Sequence, residues 1–340
     1  MKVLVALSGG VDSSVAAAEL IDAGHHVVGV TMRLWGGDSD TGCCSVADVD
    51  DARRVAQQLG IDHLVFNFTD DFSAHVVDPY AQAHSQGFTP NPCIECNRHL
   101  KFERLSERAD LLGFDAVATG HHARVEVVGD RFFVHRGADA AKDQSYVVHM
   151  LPQRELRRTV FPVGHLTKAQ VRQRATDLGL RTATKPDSQD VCFITQTGGR
   201  EAFLGSRIPF RRGTVVDSDG AKLGEVSAIE LVTVGQRRGI GLPGGGPKRY
   251  VTAIDRATAT IVVGDEADLY VTELAVDQFV WADQPYTGEV MVQCSAHGAA
   301  MPARLDGHTV RWNEPQRCVA PGQSVVFYAG DQVQGGGIVA

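Results

Sequence analysis

A short apolar run, a glycine-rich turn and an alanine-rich stretch open the chain and constrain its fold most strongly. Val3–Leu7 is typical of a strand, Ser8–Ser14 (SGGVDSS) of a turn, and Val15–Leu20 of a helix. Glycines let the backbone approach an anion closely, and a helix N-terminus favours negative charge. The segment therefore predicts a phosphate-binding loop in which Asp12 is suited to Mg²⁺.

Two common nucleotide-binding motifs are excluded by the same segment. It lacks the lysine of G-x-x-x-x-G-K-[ST], and its glycines do not have the spacing of G-x-G-x-x-G. A tight turn before an ordinary helix would account for two glycines alone. The complete heptapeptide directly after a first strand favours the phosphate site.

Strand and helix patterns alternate through about the first 120 residues, which predicts a doubly wound α/β domain with a parallel sheet. Ligands of such sheets lie at the carboxyl ends of the strands, so Ser8–Ser14, Met32 and Gly120 are expected on one rim. The predicted strands are Lys2–Leu7, His26–Leu34, His63–Phe68 and Asp115–Thr119, and the predicted helices are Ser13–Ala23, Ser45–Leu59, Phe72–Ser85 and Asn97–Leu112.

The pattern changes near Gly205, where short β runs and Gly/Pro turns replace helical periodicity. We divide the chain into an α/β domain (1–204), a small β-rich central domain (205–268) and a C-terminal antiparallel barrel (269–340). The predicted strands after this change are Gly213–Val216, Ile229–Val234, Tyr250–Ile254, Thr260–Gly264, Leu274–Phe279, Gly288–Gln293, Thr309–Trp312 and Ser324–Tyr328.

The net charge of −8 conceals an uneven distribution. Residues 151–250 carry 17 Lys and Arg against nine Asp and Glu, whereas residues 251–340 carry four against 11. A basic zone in an acidic chain is typical of a phosphate-backbone footprint. Solvated helix faces would give the same count, so charge alone leaves both interpretations open.

The sequence also indicates the cellular compartment in which the protein is found. The chain has no run of about 18 apolar residues, which predicts no membrane span. Its N-terminus coincides with the first predicted strand, which leaves no room for a signal peptide. Seven irregularly spaced cysteines do not form a secreted disulfide framework. These features predict a cytoplasmic protein.

Two of the cysteines have surroundings typical of reactive thiols. Cys96 follows two prolines and precedes a helix predicted to begin near Asn97, and a helix N-terminus stabilises a thiolate. Cys192 lies where a polar loop enters an apolar segment. Cys93 and Cys96 could form half of a zinc or iron–sulfur site, but no second C-x-x-C exists. We therefore expect no tightly bound metal or cluster.

The motifs together resemble the bacterial tRNA-specific 2-thiouridylases, which belong to the PP-loop ATP pyrophosphatases. They run the length of the chain in the family's order and are SGGVDSS, NP-x-x-C-N-x-x-x-KF (Asn91–Phe102), ATGH (Ala118–His121), KDQSY (Lys142–Tyr146), KPDSQDVCF (Lys185–Phe193), TVGQRRG (Thr233–Gly239) and PGQSVVFY (Pro321–Tyr328). The resemblance implies ATP-dependent 2-thiolation of the wobble uridine (U34) of tRNAs for Lys, Glu and Gln, with adenylation of O2 and release of pyrophosphate and AMP.

The resemblance also implies roles for individual residues. Cys192 would carry a persulfide received from a cysteine desulfurase or a sulfur-relay protein, and Cys96 would be the nucleophile that releases the sulfur. The implied ATP-binding residues are Ala6, Leu7, Ser8, Gly9, Gly10, Val11, Asp12 and Ser13, with Met32 and Gly120 near the adenosine. The implied tRNA-binding residues are Asn91, Pro92 and Cys93 at the target base, and His121, Lys142, Asp143, Gln144 and Gln323 elsewhere.

Two departures from the family pattern bear on these roles. Cys93 stands where some members have an aspartate that is a candidate acid or base, so Cys93 is a possible resolving thiol here. Cys294–Gly298 replaces a basic and aromatic stretch of the barrel. Three other functions fit parts of the pattern: another PP-loop synthetase, an RNA-binding protein with a relic ATP site, and a metal-dependent PP-loop thiolase.

Overall fold

Helices and strands alternate early in the chain and strands dominate its remainder, in a computed structural model that describes residues 1–35, 46–187, 191–195, 199–243 and 246–340. The strands are β1 (Lys2–Ala6), β2 (His26–Arg33), β3 (His63–Asn67), β4 (Ala116–Ala118), β5 (Ala123–Val128), β6 (Arg131–Arg136), β7 (Thr159–Val160), β8 (Gly213–Val216), β9 (Lys222–Val226), β10 (Tyr250–Asp255), β11 (Thr260–Gly264), β12 (Tyr270–Trp281), β13 (Gly288–Gln293), β14 (Met301–Asp306), β15 (Thr309–Arg317), β16 (Ser324–Ala329) and β17 (Gln332–Val339). The helices are Val11–Asp22, Val46–Leu59, Thr69–Phe72 continuing through Ser73–Val77 and Asp78–Gln86, Pro92–Glu95 continuing through Cys96–Arg104 and Leu105–Leu111, Gln153–Leu156, Lys168–Asp177, Cys192–Thr195 and Arg200–Gly205, and short 3₁₀ turns lie at Ser145–Val148, Ile229–Leu231 and Ala267–Leu269.

Five parallel strands in the order β3-β2-β1-β4-β7 form the first sheet. Alternate residues of β1 point to opposite faces, and both faces are covered. Val3 and Val5 pack with Ala17 on one side, whereas Leu4 packs with Phe72 on the other. The predicted doubly wound α/β domain is confirmed. Ser45, the first residue of the predicted helix Ser45–Leu59, lies outside the described residues.

The central part of the chain forms a four-stranded sheet in the order β10-β11-β8-β9. The predicted strand Ile229–Val234 is wrong, since Ile229–Leu231 is a 3₁₀ turn. This turn buries Ile229 and Val232, three residues apart, on the same core. An apolar run can thus be satisfied by a turn as well as by a strand.

Six antiparallel strands in the order β12-β15-β14-β13-β16-β17 close into a barrel through pairing of β12 with β17. The predicted C-terminal barrel is confirmed. The hairpin β5–β6, absent from the sequence prediction, extends this sheet because His135 of β6 pairs with Gln332 of β17. The hairpin therefore attaches the first domain to the barrel.

Within the described part of the chain, no helix combines the length and apolar character that a membrane crossing requires.

Candidate active site

The loop after β1 has the geometry of an anion site. Gly9 adopts φ +71°, and a Cβ added there would lie 2.6 Å from the carbonyl oxygen of Asp48. Gly10 is the N-cap of the Val11–Asp22 helix and supplies no side-chain hydrogen bond, so the N–H groups of the first turn have no side-chain cap. The Ser13 hydroxyl accepts from the Ser8 backbone N–H (3.2 Å) and thereby fixes the turn. We refer to Ser8–Ser14 as the nucleotide loop.

Gly120 lies against this loop. A Cβ added to Gly120 would approach the backbone nitrogen of Ser13 to 2.6 Å, so only glycine allows the two segments to meet. Met32 is buried near the end of β2, in the same apolar cluster as Ala6. Leu7 and Val11 are also buried and can offer a ligand only their backbone. The fold thus brings the nucleotide loop and Gly120 together at the carboxyl edge of the sheet.

Asp12 is held by two cationic or polar partners that sequence reasoning missed. Its carboxylate accepts from Lys168 Nζ at 2.7 and 2.8 Å and lies 3.1 Å from His122 Nε2. Burial alone would raise the pKa of Asp12, but the hydrogen bonds from His122 and Lys168 and the charge of Lys168 lower it. Asp12 is therefore ionised at neutral pH, at the mouth of an anion site, as a Mg²⁺-nucleotide ligand requires.

Lys168 joins the nucleotide loop to the KPDSQDVCF segment. Its Nζ also lies 2.9 Å from Oδ1 of Asp187, whose carboxylate contacts Lys142 and Arg172 as well. Partial burial opposes ionisation of Asp187, but the bonds from Lys142 and Lys168 prevail and lower its pKa to about 2. The aspartate of KPD belongs to a family motif, but only the tertiary contacts show that it pairs with three cations.

Lys185 fastens the same segment at a second point. Its Nζ lies 2.9 Å from both Asp48 and Asp51, at the start of the Val46–Leu59 helix. Asp48 also packs its carbonyl against Gly9 of the nucleotide loop. The segment before Cys192 is therefore tied to the nucleotide loop directly through Lys168 and indirectly through the helix that supports the loop.

A cavity of about 210 Å³ lies between the Asn91–Cys93 segment and the barrel. We call it the thiol pocket; its lining residues are Tyr80, Pro90, Asn91, Pro92, Cys93, Val147, Val191, Ala296 and Gln323. The side chain of Asn91 accepts from the backbone N–H of Cys93 (3.0 Å), which caps the helix that begins at Pro92. Gln323 donates to the carbonyl of Thr89 and so joins the barrel to this segment.

The expectation that Cys96 lies at a helix N-terminus is wrong. The helix begins at Pro92, so Cys93 occupies the first turn and Cys96 lies one turn later, at the start of a π-helical segment. The sequence reasoning placed the start too late because it took the prolines as a barrier. Proline is compatible with the first helical position. The field of the helix N-terminus therefore acts on Cys93 more than on Cys96.

The chain around Cys192 comes near the same pocket. Val191 lines it and has φ +53°, a left-handed conformation that is strained for a β-branched residue. Cys192 begins the helix Cys192–Thr195, and the following Phe193 belongs to the apolar cluster against which Cys96 packs. The two cysteine-bearing segments, 96 residues apart in sequence, thus converge on one region.

The residues predicted to contact tRNA have different surroundings. Asp143 is nearly buried and binds Arg136, the backbone of Gly137 and Ser145. His121 is 7% exposed, and burial lowers its pKa well below the ordinary value. Gln144 accepts from the backbone N–H of His122. Lys142 and Gln323 keep partial access to solvent.

The basic zone of residues 151–250 is largely neutralised internally. Arg158, Arg172 and Arg174 pair with carboxylates of the first domain. Arg237 and Arg238 are exposed on the loop after Thr233, and neither forms an ion pair within the described ranges. This loop, like the exposed Arg212 and Lys248, is therefore available to an external anion. Within the described part of the chain, no cluster of three or more His, Cys, Asp or Glu side chains is arranged to hold a metal.

A parallel sheet with a glycine-rich anion loop, followed by two β domains, defines the class of protein as a nucleotide-binding α/β enzyme with appended β modules. Family models match these parts in order: a "tRNA methyl transferase HUP domain" at residues 1–196, a "tRNA methyl transferase PRC-barrel domain" at 201–265 and an "Aminomethyltransferase beta-barrel domain" at 271–339.

Relatives identify the particular family. The "tRNA-specific 2-thiouridylase MnmA" of Chloroflexus aurantiacus is 47% identical over 352 residues, covering 99% of this chain and 98% of the relative. The protein of that name from Mycolicibacterium gilvum is 49% identical over 352 residues, covering 98% and 97%. The chain belongs to the tRNA-specific 2-thiouridylase family.

Proposed function

We propose that the chain catalyses ATP-dependent 2-thiolation of the wobble uridine of tRNAs for Lys, Glu and Gln. The observation that carries this proposal is the convergence of Cys93, Cys96 and Val191 beside a pocket that is separate from the nucleotide loop. An ATP-dependent ligase without sulfur chemistry would not need two cysteine-bearing segments at one pocket.

The first half of the reaction would use the nucleotide loop. The O2 atom of the uridine attacks the α-phosphorus of ATP, and pyrophosphate leaves toward the N–H groups of the Val11–Asp22 helix. Asp12 is the residue that would hold Mg²⁺, which neutralises charge on the triphosphate. The geometry of Gly9 and Gly120 supports this role because each allows close approach of a neighbouring backbone segment.

The second half would use the cysteines. The terminal sulfur of a Cys192 persulfide attacks C2, and AMP departs with the former O2. The Cys96 thiol then attacks the remaining S–S bond, which releases 2-thiouridine and leaves a Cys96–Cys192 disulfide. The two electrons that reduce the sulfane sulfur come from these two thiols, and an external thiol reductant in a cytoplasmic environment would regenerate them.

The assignment of the resolving thiol has an alternative. Cys93 lies in the first helical turn and lines the thiol pocket, a position that favours a thiolate. Single-turnover thiolation with Cys96→Ser and Cys93→Ser distinguishes the two, since the variant that lacks the resolving thiol retains the persulfide without releasing product.

The decisive experiment is incubation with unmodified tRNA, ATP, Mg²⁺, cysteine and a cysteine desulfurase with or without a relay protein, followed by nucleoside mass spectrometry. We expect 2-thiouridine at the wobble position only when ATP and the sulfur source are both present. A parallel incubation with a methyl donor tests the activity named by the family models. Addition of a methyl group, or no modification at all, would contradict the proposal.

A further inference from the structure

One carboxylate, that of Asp187, lies between the nucleotide loop and Lys142, a proposed tRNA contact. The Asp187 side chain is about one-third exposed and contacts three cations: Lys142 (2.9 Å), Lys168 (2.9 Å) and Arg172 (2.6 Å). Lys168 in turn binds Asp12 at 2.7 Å. A continuous row of alternating charges therefore runs from the nucleotide loop through Lys168 and Asp187 to Lys142.

The two ends of this row serve different substrates in the proposed function. Asp12 faces the site proposed for Mg²⁺-ATP, and Lys142 is a proposed contact of the tRNA. While Lys142 pairs with Asp187, an RNA phosphate must compete with that carboxylate for the same ammonium group. The availability of Lys142 thus depends on how strongly Asp187 is satisfied by its other partners.

We propose that Asp187 is a positioning residue that makes tRNA binding depend on the nucleotide, an inference that rests on the proposed function. Without nucleotide, the Lys168 ammonium group pairs with both Asp12 and Asp187. When Asp12 binds a cation that accompanies the triphosphate, Lys168 pairs with Asp187 alone. Lys142 is then less firmly held and becomes available to an RNA phosphate.

The direction of the effect follows from this competition. Nucleotide binding tightens tRNA binding, and tRNA tightens nucleotide binding by the same factor, because a coupling free energy is reciprocal. Couplings of this type commonly amount to about fivefold or more. A carboxylate that served only to stabilise the loop would not give this nucleotide dependence.

The test measures the dissociation constant of unmodified tRNA at fixed salt, with and without Mg²⁺ and a non-hydrolysable ATP analogue. In the unsubstituted protein we expect the analogue to tighten binding about fivefold. Asp187→Asn should bind tRNA without nucleotide as tightly as the unsubstituted protein does with it, and the ratio should fall to about one. Each ratio is taken within one preparation, so a partly unfolded fraction cancels.

The matched control is Asp219→Asn, which removes one negative charge from an exposed turn of the central domain. It should strengthen tRNA binding equally in both states and leave the ratio unchanged. An unchanged ratio in Asp187→Asn, or weaker binding in both states, would overturn the inference.

Lys142→Ala separates the inference from the function on which it rests. If this variant weakens tRNA binding while Asp187→Asn keeps the full nucleotide effect, only the coupling is wrong. If Lys142→Ala binds tRNA normally in both states, the proposed tRNA contact is wrong and the coupling is refuted with it. Thiolation of tRNA by the unsubstituted protein would still stand as a separate result.

Discussion

Charged side chains crowd the sheet edge around Asp12, whereas the described lining of the thiol pocket contains none. At the edge, Asp12 and Asp187 share Lys168, and His122 completes the set. The pocket instead presents residues of two cysteine-bearing segments, a buried tyrosine and the side-chain amides of Asn91 and Gln323. Phosphoryl chemistry needs fixed charge to stabilise developing anions, while sulfur transfer depends on thiols that can approach one another. The comparison predicts that the two proposed half-reactions can be damaged separately.

The largest expected effect is that Asp12→Ala and Cys192→Ser each abolish one step and leave the other intact. Asp12→Ala should lower tRNA-dependent pyrophosphate release at least about 100-fold, since it removes the proposed cation ligand, yet still accept a persulfide. Cys192→Ser should abolish thiolation, by about 1000-fold or more, and still release pyrophosphate. Pyrophosphate assays and thiol trapping measure both. Loss of both steps in either variant would contradict the separation, and Asp62→Ala on the surface is the control.

The pocket can next be blocked without touching a charge. Ala296 lines the thiol pocket from the barrel, so Ala296→Phe should fill part of its volume. If the target base enters this pocket, as we propose from the position of Asn91–Cys93, kcat/KM for tRNA should fall about 10- to 100-fold, with unchanged affinity for an ATP analogue. Ala299→Phe, at an exposed position of the same loop, should have little effect. Equal losses for the two variants would argue against base binding in this pocket.

A smaller effect is expected from exposed charge outside both regions. Reversal of Arg237 and Arg238 to Glu should weaken tRNA binding about tenfold. It should also reduce the slope of log K for tRNA binding against log salt concentration by roughly two. Reversal of Lys2 and Arg53, which lie on the acidic first domain, should change binding less. Filter binding across a salt series measures both pairs. Identical slopes would mean that the central loop is only a solvated surface.

The smallest effect concerns the attachment of the barrel, which completes the pocket but not the sheet edge. Burial lowers the pKa of His149, which packs against Gly336 of β17, from 6.5 to about 4. The unfolded chain therefore binds the proton first, and stability present above pH 6.5 is lost as the pH falls toward 4, by up to about 3 kcal/mol.

His149→Asn should remove part of this dependence. We expect thermal melting curves of the variant to decline less steeply between pH 6.5 and 4 than those of the unsubstituted protein. Between pH 7 and 8, where His149 is neutral in both the folded and unfolded chain, the two curves should run parallel. If the substitution leaves the slope below pH 6.5 unchanged, another group causes the loss of stability at low pH.

Several expectations from sequence were met because they depend on local pattern. The strands Gly213–Val216 and Thr260–Gly264 have the predicted bounds, and the helix Val46–Leu59 ends at the predicted residue. The hairpin β5–β6 was missed although Gly129 and Asp130 mark its turn. The hairpin is held by pairing with a barrel strand about 200 residues later in the chain. A short stretch of sequence does not reveal such a distant contact.

The sequence by itself determined the nucleotide loop, because strand, glycines and helix start are contiguous and backbone conformation at glycine is a local property. Only the tertiary structure decided which side chains complete the site. Lys168, His122 and Asp187 reach Asp12 or one another from segments more than 100 residues beyond the loop. The thiol pocket exists only where Cys93, Val191 and Gln323 meet. Such meetings are set by packing of whole domains, whose energy is spread over many distant contacts and leaves no short motif.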